Sequence, residues 1–154
     1  MLKRTLLPLL VGGPGGANWP AEIGLLVLRV TSGLFLAIGH GWPKVTNPSG
    51  FIDNAVRGNF PAPDVSGWFA ILGEFLGGLL LAAGLATRAA SLWIIAVMAG
   101  AAVVTHGDSF TSRSKFFLPA DGAAEPAVLY LLIAVAFAVV GSGRFGADRF
   151  LRKP

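Results

Sequence analysis

Five ionisable residues stand inside or at the edges of stretches that are otherwise apolar: Arg29, His40, Glu74, His106 and Glu125. Histidine titrates near neutral pH, so it can donate to a carbonyl oxygen such as that of a quinone, or relay a proton. A carboxylate beside it can orient the ring or take the proton. Lys44, four residues after His40, would add an ammonium donor. An arginine and a glutamate in apolar surroundings can neutralise each other. Other chemistries find no support. Cysteine is absent, which removes thiol catalysis, Cys-ligated zinc and iron–sulfur clusters from this chain. Neither HxxxH nor ExxH occurs, so no metal site is expected. Gly12-Gly13-Pro14-Gly15-Gly16 precedes no strand–helix unit and is no dinucleotide fingerprint. No Ser/His/Asp order points to a hydrolase, and no catalytic residue is identified.

The elements that must carry these residues follow from composition. The chain has 154 residues, 54% hydrophobic and 13% charged, with a mean hydropathy of +0.69. Soluble domains carry about 25% charged residues. A bilayer crossing takes about 20 apolar residues. Apolar stretches run over about residues 21–41, 65–86, 88–106 and 125–140, and none alternates with period two. The expected fold class is therefore all-α: a polytopic membrane protein with a bundle of four transmembrane helices, the lipid bilayer its first partner. Residues 1–20 read as an N-terminal tail, 21–141 as the membrane domain and 142–154 as a C-terminal tail. Between the first two spans, Phe51-Ile52-Asp53-Asn54-Ala55-Val56-Arg57 has one apolar face and reads as an interfacial helix ended by Gly58. The net charge of +4 comes with no nucleic-acid-binding motif, so no nucleic-acid partner is expected.

Four spans put both termini and the turn at Arg88 on one side. That side holds seven Lys and Arg, the other four, and Arg29 lies within a span. The positive-inside rule then places both termini in the cytoplasm. Counted from that side at 1.5 Å per residue, Arg29 and Glu74 stand at about 12 and 18 Å, which predicts an intramembrane ion pair. His40 and His106 stand at about 28 and 27 Å, and Glu125 opens the fourth span on the same side. His40, Lys44, His106 and Glu125 are thus expected to line one polar pocket near the outer interface. Arg29, Gly33, Leu36 and His40 share a helical face. Gly73, Gly77 and Gly78 around Glu74 invite close approach of another helix.

These residues also form a familiar series. Leu28-Arg29, Gly33 and His40-Gly41-Trp42-Pro43-Lys44 resemble the opening of DoxX-family membrane proteins. Pro61-x-Pro63, Gly73-Glu74 with Gly77-Gly78, and Gly84-Leu85-x-Thr87-Arg88 resemble that family's second span and turn. His106, Glu125 and the closing Gly141-x-Gly143-Arg144-Phe145-x-x-Asp148 continue the likeness, which covers about residues 24–150. The resemblance implies a four-helix protein of the bacterial inner membrane. It also implies a quinone-linked redox subunit or an accessory subunit of a membrane oxidoreductase complex, with a redox protein as partner and no cofactor in the chain beyond a bound quinone. Two other readings stay open. One is a small transporter that uses an Arg29–Glu74 relay and needs a homo-oligomer. The other is a structural or assembly protein without catalysis.

Overall fold

A computed structural model describes residues 19–58, 60–105, 116–117 and 124–151. Among them every regular element is helical. Helix α1 spans Trp19–Leu34 and continues through a π-helical stretch, Phe35–Gly41, into α2, Trp42–Thr46. Together they make one unbroken helix of 28 residues. Helix α3 covers Pro48–Arg57 and α4 Pro63–Ala83. Helix α5, Thr87–Gly100, is extended by a second π-helical stretch, Ala101–Thr105. Helix α6 covers Glu125–Val140 and the short α7 Asp148–Leu151. Trp19–Thr46, Pro63–Ala83 and Thr87–Thr105 are each long and apolar enough to cross a membrane, whereas α6 is a shorter apolar helix of 16 residues. The chain is an all-α membrane helical bundle.

The first apolar stretch read from the sequence ends near Gly41, two residues before Pro43; the helix instead runs on to Thr46. In a regular α-helix the Pro43 ring would clash with the carbonyl of Gly39. The π-helical turns just before it widen the backbone, and the Trp42 N–H bonds back to the Ala37 carbonyl, five residues earlier. The proline is absorbed and the axis continues.

Consecutive long helices pack side by side: α1 on α4, α4 on α5, and α5 most extensively on α6. The core between them holds Leu36, Leu81, Ile94, Val97, Ala134 and Phe137 among others. The α1–α4 seam is tight because glycines face each other across it. A Cβ on Gly33 would sit 2.6 Å from the Gly78 carbonyl oxygen, and one on Gly78 would sit 2.8 Å from the Gly33 oxygen. The Gly73 and Gly77 positions face α5 through Trp93, Val97 and Ile94. Asn47 caps α3 by accepting from the Gly50 N–H at 3.2 Å. That helix lies against α4, with Ala55 buried and Ile52 over Gly67.

The α4–α5 turn is strained and braced. Gly84 takes φ +67°, and the Gly84 and Leu85 N–H groups bond to the Leu81 and Leu80 carbonyls, which closes α4 in a Schellman motif. Ala86 follows at φ +47°, a left-handed conformation that costs about 1–2 kcal/mol outside glycine. The closing segment holds it in place. Asp148 accepts from the Ala86 and Thr87 N–H groups at 2.6 and 3.2 Å, and the Asp148 N–H donates to the Gly84 carbonyl at 2.8 Å.

Candidate functional site

Polar groups inside the bundle gather in two places. The first is the end that holds both chain ends. Glu22, Arg29 and Asp148 are each at most 1% exposed there. Arg29 donates to the carbonyls of Leu81 at 3.0 Å and Ala82 at 2.8 Å, and to Phe145 at 3.4 Å. Glu22 accepts from the Arg144 N–H at 2.8 Å. Every one of these bonds ends on backbone, so the cluster ties helix ends to the closing segment. It is a brace, although Glu22 Oε1 and Arg29 Nε are buried in it without a hydrogen-bond partner.

The expected ion pair between Arg29 and Glu74 is not formed. Side chains on a helix lean toward its N-terminus. Arg29 on α1 therefore leans toward the end where both termini lie. Glu74, on the antiparallel α4, leans the other way. Arg29 meets instead the carbonyls of Leu81 and Ala82 in the last turn of α4, at the negative end of its dipole.

Glu74 pairs with Lys44. Lys44 sits near the end of the first helix and leans back along it; Glu74 leans up toward it. The Lys44 Nζ donates to both carboxylate oxygens. Glu74 is about 16 Å along α4 from Pro63, close to the middle of a 21-residue helix. Its side chain is 4% exposed and that of Lys44 25%. The lysine also lies 4.6 Å from the centre of the Phe51 ring on α3, a cation–π contact.

The pair lines a cavity of about 260 Å³ between α3, α4 and the C-terminal end of α5 with its π-helical extension. Its walls are mostly apolar: Phe51, Phe60, Ala70, Val97, Ala101 and Val104, with Asn54, Ser66 and Thr105 as uncharged polar groups. A concave, mostly apolar space with a few convergent polar atoms is the usual form of a small-molecule site. The ammonium can offer a hydrogen bond to a carbonyl oxygen, and the carboxylate can accept one from a hydroxyl.

Of the residues expected to form one pocket, His40, Lys44 and Glu125 are described, and among these Lys44 lines the cavity. His106 lies outside the described residues. His40 is exposed and rests edge-on against Tyr130 of α6, ring centres 5.4 Å apart. The π-helical stretch explains its displacement. A wider turn inserts about one residue into the register, so the buried face continues through Ala37 and Gly41 rather than through His40. Glu125 is exposed at the first position of α6, where a carboxylate favours the helix dipole. Neither His40 nor Glu125 lines the cavity. The buried roles of Glu22 and Asp148 escaped the sequence reading. The Gly141-x-Gly143 spacing before Asp148 was the available signal for a segment that folds back tightly.

The DoxX family model matches residues 24–107, more than half of the chain. The chain belongs to the DoxX family. The DoxX-matching stretch contains every residue that lines the cavity, whereas the bracing residues Arg144 and Asp148 lie beyond it. One relative, "Putative oxidoreductase CatD" of Bacillus subtilis (strain 168), is 30% identical over 136 residues, which cover 88% of this chain and 92% of the relative. No solved structure matches.

Proposed function

We propose that this DoxX-family protein is a membrane subunit of a quinone-linked redox system, and that the Lys44–Glu74 cavity receives the quinone headgroup. One observation carries the reading: an intramembrane ammonium–carboxylate pair stands at the wall of a mostly apolar cavity. The printed name of the Bacillus relative agrees with it. A quinone accepts two electrons and two protons and becomes a hydroquinone. Lys44 would donate a hydrogen bond to a ring carbonyl, Glu74 would hold a proton beside it, and Phe51 would cover the ring. The cavity lies just below the roughly 300–1,000 Å³ of drug-sized sites, which suits one substituted ring with its tail in lipid.

With no cysteine and no iron–sulfur ligation of its own, the chain would take its electrons from a redox partner protein. In this reading α6 is the fourth span, the membrane is the bacterial inner membrane, both termini are cytoplasmic and the cavity opens in the outer half. A transporter built on an Arg29–Glu74 relay loses its basis, since Arg29 is committed to backbone carbonyls.

The test is extraction of lipid from the purified full chain in mild detergent, with quinone quantified by chromatography. Near-stoichiometric quinone is expected in the parent and a severalfold loss in Lys44→Met. Quinone no richer than in bulk membrane lipid would point to a packing or assembly role instead.

A further inference from the structure

We infer that the end of the bundle formed by Trp19 and the closing segment 141–151 binds phosphates of anionic phospholipids through Arg144 and Arg149, with Trp19 and Phe145 at headgroup depth. The argument begins with where the acids are. The chain has eight Asp and Glu. Asp53, Asp64 and Glu125 are exposed at the opposite end, where the connections between α2 and α4 and between α5 and α6 lie. Asp108 and Asp121 belong to the second of those connections, and Glu74 is in the cavity. The two acids at the terminal end, Glu22 and Asp148, are both buried and bound to backbone N–H groups. That end therefore withdraws its negative charge into the interior and leaves arginine on the surface.

The arginines are placed for lipid. Arg144 and Arg149 are exposed and face aromatic rings instead of carboxylates. The Arg144 guanidinium is 5.8 Å from the Trp19 ring centre, and that of Arg149 is 4.6 Å from Phe150. Trp19 lies 5.8 Å from Phe145. Trp19, Ile23 and Val27 recur at four-residue spacing on α1 and are 61%, 51% and 55% exposed, an apolar track running from the ring into the membrane. Tryptophan prefers headgroup depth, and arginine presents a planar fork of donors suited to phosphate oxygens. The segment is not free to wander. The Ala147 and Asp148 N–H groups donate to the Ala83 and Gly84 carbonyls, so binding orders little that is not already ordered.

The test reconstitutes the full chain in phosphatidylcholine vesicles containing an equal fraction of brominated phosphatidylglycerol or brominated phosphatidylcholine. Quenching of Trp19 is read as the difference between the parent and Trp19→Phe. The anionic lipid is expected to quench preferentially, by roughly fivefold per arginine at low salt, and the preference should shrink as salt rises. The double variant Arg144→Gln, Arg149→Gln should abolish it, and the variant with both changed to Lys should keep part of it. The glutamine variant retains the Arg144 backbone N–H that holds Glu22, and circular dichroism reports its helix content. Should it lose helix, a lysine variant that quenches equally with both lipids overturns the proposal. So does equal quenching in the parent, or a preference untouched in a folded glutamine variant. Loss of the preference on adding millimolar glycerol phosphate would assign the surface to free phosphate and overturn the lipid assignment.

Discussion

Lys44 and Glu74 form an unequal pair, and the inequality is testable. Glu74 is buried at the cavity wall, whereas a quarter of the Lys44 side chain is exposed. Removing the lysine strands a carboxylate in an apolar interior; removing the carboxylate frees a lysine that can snorkel outward. Lys44→Met is therefore expected to destabilise the protein by about 3 kcal/mol or more, and Glu74→Gln by clearly less. The double variant should recover part of the loss. Thermal unfolding in one detergent across the four proteins checks this, and equal losses in the two single variants would count against the assigned burial.

Helices α1 and α4 meet through glycine, so their distance is set by atoms that are missing. Gly33→Ala or Gly78→Ala would push a methyl into the facing backbone, and each is expected to cost about 1–3 kcal/mol. Gly24 on the same helix has nothing within 4 Å of its Cβ position, so Gly24→Ala should leave the melting temperature unchanged or raise it slightly. The opposite order would place the seam elsewhere. The start of α5 rests on Asp148, far away in sequence. Asp148→Ala would leave the Ala86 and Thr87 N–H groups without their acceptor beside a strained turn. A loss of about 1–2 kcal/mol is expected, with a smaller loss for Asp148→Asn, measurable as a shift in thermal midpoint.

Among the described residues the exposed acids are sorted by end. Asp53, Asp64 and Glu125 stand at one end, where Arg57 is also exposed, whereas at the other end Arg144 and Arg149 are exposed and the acids Glu22 and Asp148 are buried. The positive-inside rule turns that sorting into an orientation. A reporter active only outside the cytoplasm, fused after Pro154, should be silent, and the same reporter inserted near Asn54 should be active. Activity at Pro154 would invert the protein and put the Lys44–Glu74 cavity in the cytoplasmic half.

What the sequence by itself determined is whatever depends on local composition and on period. Apolar runs of spanning length, with no alternation, leave a membrane helical bundle as the one way to satisfy the backbone. Gly58 ends the amphipathic stretch around Phe51 and Ile52, and the glycines around Glu74 mark a close seam. The series of motifs from Leu28-Arg29 to Glu125 pointed to the DoxX family. Only the tertiary structure decided which charges meet. Counting residues fixes height along a helix, but not the direction in which a side chain leans, and that direction separates Arg29 from Glu74 and brings Lys44 to it. Nor does counting foresee a π-helical stretch, which inserts about one residue into the register and turns His40 outward while Gly41 turns in. Asp148 illustrates the same limit at long range. Its neighbours in sequence do not explain its burial, because its partners are the N–H groups of a turn sixty residues earlier.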